Sequence, residues 1–211
     1  MDDGKANALS PAMFAAVNDG LDQAEKDDVT GVVLAGREGK FSAGFDLGVL
    51  QAGGPPAEGM LRSGFELAAR VLDFPVPVVA ACTGHAIAMG SFLLSTCDHR
   101  VGAAGDYRLQ ANEVLIGLTV PKPAVEILRH RLTPSAFDQA IGLGVSTPPA
   151  NAVVAGWLDE VVELDQVVPR AQEVAATFVA LDRAAHLGSK RRARGPMLQR
   201  VRAGIADEFG D

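Results

Sequence analysis

Two glycine-rich turns carry the residue types in this sequence that could perform chemistry. The first spans residues 36–48 and follows an apolar run. Its small residues Ser42, Ala43 and Gly44 let a ligand approach the backbone closely. The second, residues 83–91, also follows an apolar run and opens a predicted helix, whose first N–H groups are unpaired and suit a developing oxyanion. Side by side, the turns would supply one donor each, although each alone also fits an ordinary strand-to-helix connection.

The other reactive residue types offer no better mechanism. The four histidines show no metal-ligand spacing with the two cysteines, so we expect no metal site. Ser42 and Ser91 are interpreted as small spacers in turns rather than as nucleophiles. Neither turn matches the dinucleotide or P-loop glycine pattern, so a nucleotide-phosphate cradle is not indicated.

Strands and helices alternate around these turns. Ser10 followed by Pro11 predicts a helix start. Short Val/Ala-rich runs predict strands buried on both faces, and therefore a parallel sheet covered by helices. The predicted strands are 31–36, 76–81, 100–103 and 107–110, and 157–162 is a short strand or extended segment. The segments 36–48 and 83–85 are read as a loop and a turn. A helix is predicted from Leu164 onward, broken near Gly188 and again at Gly195-Pro196.

Composition limits the class of protein. A chain of 211 residues with net charge −7 and 5% aromatic residues lacks the basic footprint and the stacking platforms of a nucleic-acid binder. Two cysteines are too few for a disulfide framework, and no signal peptide is recognised, so we expect a cytoplasmic protein. The uncharged stretch 74–97 is long enough to span a bilayer, but its prolines and glycines favour a buried strand, turn and helix, so no membrane partner is expected.

Five motifs together resemble the crotonase (enoyl-CoA hydratase/isomerase) superfamily, over about residues 5 to 162. The resemblance implies an α/β fold, a spiral of strand–strand–helix units with a C-terminal helical region, and an enzyme that binds a coenzyme A thioester. The matching segments are Lys5-Ala6-Asn7-Ala8-Leu9, Phe41-Ser42-Ala43-Gly44-Phe45-Asp46-Leu47 after Val32-Val33-Leu34, Pro77-Val78-Val79-Ala80-Ala81 with Gly84-His85-Ala86, Cys97-Asp98-His99-Arg100, and Asn112-Glu113-Val114-Leu115-Ile116-Gly117-Leu118.

The resemblance also implies roles for individual residues. The backbone N–H groups of Phe45 and Met89 would polarise the thioester carbonyl, with Gly90 and Phe92 lining the site. The backbone of the first turn and of the N-terminal motif would hold adenine and pantetheine, through Lys5, Ala6, Ala43, Gly44, Asp46 and Leu47, and Lys5 and Lys40 are candidate phosphate partners or else solvated surface charges. Coenzyme A is then part of the substrate, no separate cofactor is needed, and a homotrimer or dimer of trimers is expected.

The carboxylates indicate which reaction the chain performs. Family hydratases have two glutamates, and the corresponding positions here hold Phe92 and Glu113. Water addition is helped by two groups that hold the water and move its protons, whereas one base can move a double bond. The resemblance to family Δ3,Δ2-enoyl-CoA isomerases therefore favours isomerisation with Glu113 as the single acid/base, in a site that Phe92 keeps dry. An enoyl-CoA hydratase is the alternative, and composition alone would make Glu113 an exposed carboxylate.

The sequence also departs from the family pattern. Residues 121–126 replace a glycine-rich stretch that borders the acyl pocket in the family, so acyl-chain preference is open. Residues 1–162 are expected to form the core, apparently without the N-terminal edge strand, and residues 163–211 a helical region for oligomerisation. The basic residues after Leu187 are interpreted as a solvated helical tail, with attraction to a polyanion or a neighbouring subunit as the alternative.

Two rival functions come from other classes. A serine peptidase of the Clp type has a similar turn, but Ala88 stands where its nucleophile would be. A protein that binds acyl-CoA without turnover is the second rival, and Phe92 in place of a catalytic acid is its main support. The enzyme hypothesis differs from this binder in requiring Glu113 for turnover.

Overall fold

A computed structural model describes residues 1–210, in which seven strands form two parallel sheets and nine α-helices pack around them. The strands are β1 (Val32–Ala35), β2 (Gly39–Ser42), β3 (Val78–Cys82), β4 (Gly84–Ile87), β5 (His99–Ala103), β6 (Leu109–Gln110) and β7 (Glu160–Val162). The helices are α1 (Pro11–Lys26), α2 (Leu47–Ala52), α3 (Gly54–Leu72), α4 (Met89–Thr96), α5 (Lys122–Arg131), α6 (Pro134–Leu143), α7 (Pro149–Ala155), α8 (Val167–Thr177) and α9 (Arg183–Phe209).

Successive strands alternate between the two sheets. The larger sheet has the order β1-β3-β5-β7 and the smaller one the order β2-β4-β6, and all neighbours are parallel. The chain therefore runs through β1 and β2 to helices, through β3 and β4 to α4, and through β5 and β6 to a 3-10 helix at Glu113–Ile116. The strand–strand–helix plan implied by the resemblance is confirmed.

Two strands of the smaller sheet, β2 and β4, are the part of the core that the sequence reading missed, whereas β6 lies within the predicted strand 107–110. The segments taken as a loop at 36–48 and as a turn at 83–85 contain β2 and β4. Both strands begin with a glycine at positive φ, 76° for Gly39 and 157° for Gly84. A Cβ on Gly84 would overlap the backbone of Gly39, so the two strands approach each other as closely as they do only because glycine stands there.

Several local predictions are confirmed. Ser10 caps α1 by accepting a hydrogen bond from the Met13 amide at 3.2 Å, and Pro11 is the first helical residue. The uncharged stretch 74–97 forms β3, β4 and α4, and every residue of α4 is buried. None of the helices within residues 1–210 combines the length and the apolar character needed to cross a membrane. The division of the chain at residue 162 stays a prediction.

The predicted breaks in the C-terminal helix are wrong. Helix α9 runs without interruption from Arg183 to Phe209 and contains Pro196, and the chain leaves helical geometry earlier, at Leu181. Asp182 then starts α9 by accepting a hydrogen bond from the Ala185 amide at 2.8 Å. Burial of one face of α9 against α3 and α5 outweighs the local cost of a helical proline.

Basic residues on α9 anchor that helix rather than form a solvated tail. Lys190 is 3% exposed, and its Nζ donates to Asp98 Oδ2 at 2.9 Å and to the Phe74 carbonyl at 3.1 Å. Arg194 contacts the other Asp98 oxygen at 2.9 Å, and the Val78 amide donates to Oδ2 at 2.8 Å. The solvated-tail interpretation is therefore wrong for Lys190 and Arg194, because the largely buried carboxylate of Asp98, directly before β5, holds both cations.

Replacing Lys190 by methionine is expected to lower the free energy of unfolding by about 2 kcal/mol, because a buried charge-assisted hydrogen bond is lost while Arg194 still neutralises Asp98. Urea unfolding followed by circular dichroism measures the change. Arg192→Met, at an exposed position of the same helix, is the control and should change stability by less than about 0.5 kcal/mol. Equal effects of the two variants would contradict a stabilising role for the buried pair.

Candidate active site

The three groups predicted to perform chemistry follow the carboxyl ends of the three strands of the smaller sheet. Phe45 lies three residues after β2, Met89 two residues after β4, and Glu113 three residues after β6. Because the strands are parallel, these ends lie at one edge of the sheet, and the central position of β4 places Met89 between the other two. The crevice outside the carboxyl ends of parallel strands is the usual ligand site of such sheets.

The two glycine-rich turns are in direct contact. A Cβ on Gly44 would lie 3.0 Å from the Ile87 carbonyl oxygen and 3.6 Å from the Met89 amide nitrogen. A Cβ on Gly90 would lie 2.6 Å from the Ser42 carbonyl oxygen. Glycine at positions 44 and 90 is thus what lets the backbones of the two turns approach, and the side-by-side arrangement expected from the sequence is present.

The peptide groups before Phe45 and Met89 are anchored by their carbonyl oxygens. The Gly44 oxygen accepts a hydrogen bond from the Leu9 amide at 2.8 Å. The Ala88 oxygen accepts from the amides of the first turn of α4, at 2.8 and 3.1 Å. In a trans peptide the C=O and the next N–H point in opposite directions, so these bonds turn the amides of Phe45 and Met89 away from Leu9 and from α4. Within residues 1–210 neither amide donates to a protein acceptor.

Ala88 holds an unfavourable backbone conformation directly before the Met89 amide. Its φ is 49° and its ψ −125°, in a region where non-glycine residues are uncommon. Strain of this kind costs about 1–3 kcal/mol and persists where the surrounding structure enforces it, often at functional sites. Here the enforcing contacts are the α4 hydrogen bonds to the Ala88 carbonyl and the bond from the Ala88 amide to the Gln110 oxygen, at 2.8 Å.

Glu113 is a buried carboxylate without a partner. The residue is 7% exposed, and its Oε2 has no hydrogen-bond partner within the described chain. Burial raises the pKa of Glu113 from 4.5 to about 7, so the carboxyl can gain and lose a proton near neutral pH. The Gln110 carbonyl accepts a hydrogen bond from the Ala88 amide, and Glu113 follows Gln110 by three residues. The Cα atoms of Gln110 and Glu113 are therefore at most about 11 Å apart. The reading of Glu113 as an exposed surface carboxylate is wrong.

Asn112 is a site candidate that sequence reasoning missed. Its Oδ1 is buried and has no hydrogen-bond partner within residues 1–210, and the same holds for Oε2 of the next residue in the chain, Glu113. Buried acceptors without donors on two consecutive residues point to a place that a ligand or a water molecule would complete. An asparagine in a turn carries no sequence signal for burial, so only the structure reveals it.

An aromatic cluster backs this arrangement on the side of the helices. The Phe45 ring packs edge to face on Phe65, with centroids 6.3 Å apart, and Phe65 stacks on Phe92 at 6.1 Å. Phe209, in the last turn of α9, stacks on the same Phe65 ring at 5.6 Å. Phe92 is 1% exposed, so the position predicted to be apolar is part of a dry cluster rather than a free surface.

The residues predicted to hold coenzyme A lie around the first turn. The Ala6 carbonyl accepts a hydrogen bond from the Ala43 amide at 3.1 Å, which ties the N-terminal motif to the turn. Asp46 caps α2 by accepting from the Gly48 amide at 2.8 Å, and Leu47, the first residue of α2, is exposed. The Lys5 side chain is exposed, as is that of Lys40. Their roles toward a ligand stay predictions.

One cavity lies away from these residues. It measures about 620 Å³ between α1, α3 and α9, and none of the predicted site residues lines it. Its arginines pair with its own carboxylates, for example Arg191 with Asp73 at 2.9 Å and Arg62 with Glu66 at 2.7 Å. Because these charges already neutralise one another, we assign no ligand to this cavity.

Comparisons with known proteins agree with the geometry. The family model described as "Enoyl-CoA hydratase/isomerase" matches residues 1–195. The chain is 33% identical to the mitochondrial enoyl-CoA delta isomerase 1 of Rattus norvegicus over 83% of its own length and 62% of that protein. It thus spans about three fifths of the curated relatives it matches first.

Two solved structures are more similar. An enoyl-CoA isomerase of Mycobacterium tuberculosis is 52% identical, with a TM-score of 0.94 over 99% of this chain and 91% of that one. A structure from Mycobacterium tuberculosis H37Rv named probable enoyl-CoA hydratase EchA3 is 53% identical, with a TM-score of 0.96 over 100% of this chain and 90% of that one. Both structures are of the same protein, which therefore carries the names of both reactions.

Proposed function

This chain belongs to the enoyl-CoA hydratase/isomerase family, and we propose that within the family it converts 3-enoyl-CoA thioesters into 2-enoyl-CoA thioesters. One observation carries the choice of reaction: Glu113 is a buried carboxylate whose Oε2 has no partner in the described chain, while the position of a second acid holds Phe92, packed into the aromatic cluster. The names of the isomerases among its relatives support the same reading.

The proposed mechanism needs two amides and one carboxylate. The thioester oxygen accepts hydrogen bonds from the N–H groups of Phe45 and Met89. Glu113 takes a proton from C2, and the electron pair of that C–H bond joins the C3–C4 double bond in a dienolate whose charge lies on the thioester oxygen. The same carboxyl returns the proton to C4, which leaves the double bond between C2 and C3 and the carboxylate regenerated. Atoms and charge balance with no other reactant.

Activity should depend on pH through Glu113. Because the base must be ionised, kcat/KM for a 3-enoyl-CoA is expected to rise about tenfold per pH unit below pH 7 and to level off above it. Initial rates between pH 5.5 and 8.5 measure the profile. A profile without a step between pH 6 and pH 8 would contradict Glu113 as the base.

A pair of assays tests the proposal. A 3-enoyl-CoA is incubated with the protein and the appearance of the conjugated 2-enoyl thioester is followed by its ultraviolet absorbance, while hydration of a 2-enoyl-CoA is followed by loss of that absorbance. We expect fast isomerisation and slow hydration. Fast hydration without isomerisation would overturn the proposed reaction, and tight acyl-CoA binding with neither activity would favour the non-catalytic binder.

Hydration is the second candidate, and one observation favours it. The buried Oδ1 of Asn112 lies beside Glu113 in the sequence and also lacks a partner, so the two residues could together hold a water molecule. One of the two names carried by the similar Mycobacterium tuberculosis protein is also that of a hydratase. The two-assay comparison separates this candidate from the isomerase, because only a hydratase removes the conjugated double bond.

A further inference from the structure

A buried serine hydroxyl bonds the backbone at each of the two amides of the proposed mechanism. Ser91 bonds the carbonyl of the peptide that contains the Met89 amide, and Ser42 bonds the amide of Gly44, one peptide before that of Phe45. We propose that Ser91 and Ser42 are positioning residues, one for the Met89 amide and one for the Phe45 amide. The inference rests on the proposed role of these amides and adds to it the side chains that orient them. Both serines are fully buried, although the sequence favoured a spacer role for each.

Ser91 acts on the peptide between Ala88 and Met89. Its Oγ donates to the Ala88 carbonyl oxygen at 2.8 Å, in addition to the two amides of α4 that bond the same oxygen. This peptide follows the residue with φ 49°, so it is held in a strained orientation that would otherwise relax by rotation. Rotation of the peptide would move the Met89 N–H out of line, and the hydroxyl opposes that rotation.

Ser42 acts on the peptide chain before Phe45. Its Oγ accepts a hydrogen bond from the Gly44 amide at 3.1 Å and donates to the Asn7 carbonyl at 2.8 Å. Asn7 is itself fixed, because its side-chain amide donates to the Phe41 carbonyl at 3.3 Å. The hydroxyl thus links the residue before Phe45 to the N-terminal motif, whose Leu9 amide bonds the Gly44 carbonyl.

Ser95 provides a matched control. It lies one turn after Ser91 in α4, is equally buried, and donates its hydroxyl to a backbone carbonyl at the same 2.8 Å distance, that of Ser91. Its acceptor does not belong to the peptide before a proposed donor. A purely structural hydroxyl and a positioning hydroxyl are therefore available in one helix.

The experiment compares Ser91→Ala with Ser95→Ala. We expect Ser91→Ala to lower kcat for the 3-enoyl-CoA about 5- to 10-fold with the dissociation constant of a saturated acyl-CoA changed less than about 2-fold. In the isotope-edited infrared spectrum of that bound acyl-CoA, labelled with carbon-13 at the thioester carbonyl, the downshift of the carbonyl band should shrink in Ser91→Ala and stay unchanged in Ser95→Ala. Ser42→Ala should behave as Ser91→Ala does.

Equal kinetics and equal carbonyl bands in Ser91→Ala and Ser95→Ala would overturn the inference while leaving the proposed function intact. Absence of both turnover and a carbonyl downshift in the unmodified protein would instead overturn the proposed function, and this inference with it. Should Ser91→Ala fail to fold, Ser91→Cys keeps the side-chain size with a weaker donor. Its carbonyl downshift should then be smaller than in the unmodified protein, and an unchanged downshift would count against the proposal.

Discussion

Replacing Glu113 by glutamine should lower kcat for a 3-enoyl-CoA by about 10³-fold and leave the affinity for a saturated acyl-CoA nearly unchanged. Glutamine keeps the size of the side chain but cannot take the proton from C2, and acid–base catalysis of this kind contributes about 10²–10⁴-fold. Glu113 Oε2 has no hydrogen-bond partner in the described chain, which leaves that oxygen free to contact a substrate. Steady-state kinetics and calorimetric titration measure the two quantities.

Glu58→Gln, at an exposed position near the start of α3, is the matched control and should retain full activity. If Glu113→Gln retained kcat, the acid/base would have to be sought elsewhere. If it lost affinity and turnover in parallel, Glu113 would instead be a binding group.

The same substitution has a consequence for stability that depends on pH. Burial raises the pKa of Glu113 in the folded protein to about 7 from 4.5, so between these values the folded state binds more protons than the unfolded state. The free energy of unfolding therefore falls as pH rises through this range, by roughly 3 kcal/mol in total from this one group. The glutamine side chain does not ionise, so Glu113→Gln does not lose this free energy of unfolding as pH rises. Its stability relative to the unmodified protein should therefore improve by about that amount between pH 4.5 and pH 8, as urea unfolding would show.

Replacing Gly90 by alanine should lower kcat by about 10²-fold and destabilise the fold by about 1–3 kcal/mol. The added Cβ would lie 2.6 Å from the Ser42 carbonyl oxygen and 2.8 Å from its Cβ, so the two turns must move apart. Donors from both turns have to reach one oxygen, and a shift of a few tenths of an ångström weakens at least one of the two bonds. Kinetics and thermal unfolding of the purified variant measure both effects.

The control is Gly188→Ala in α9, where an added Cβ would meet no atom within 4 Å. This change should leave kcat unaffected and stabilise the helix slightly. Full activity of Gly90→Ala would contradict the requirement that the two turns remain in close contact.

The chemistry-bearing positions were accessible from the sequence because the motifs stand in a fixed order along parallel strands. The order of Phe45, Met89 and Glu113 in the chain translates directly into neighbouring positions at one sheet edge. Two of the three strands that create the edge, β2 and β4, were not accessible. Gly39 and Gly84 begin β2 and β4, and in a sequence a glycine normally predicts a turn. Here the close approach of the two strand backbones requires a glycine at position 84, and that approach is visible only in three dimensions.

Helix α9 shows the opposite error. Gly188, Gly195 and Pro196 are local helix breakers, and the sequence reading ended the helix at them. Tertiary burial of Met197 and Val201 keeps the helix intact. Local helix propensity is a weak guide where a long helix packs against the core along its whole length. The pairing of Lys190 with Asp98, which is distant in the chain, could likewise not be predicted from composition.

The parallel sheets bear on how the protein reaches its active form. Within residues 1–210, no two strands that are hydrogen-bonded to each other follow one another in the chain. Every pairing, such as that of Val32 with Val78, therefore has to close a long loop before the two strands come into contact. Folding dominated by such distant pairings is slow. The three groups of the site follow three different strands, so the site forms only after each of these strands has paired. On dilution from denaturant, catalytic activity should therefore return later than the helical circular dichroism signal, and the slowest strand pairing should set the half-time of the return of activity.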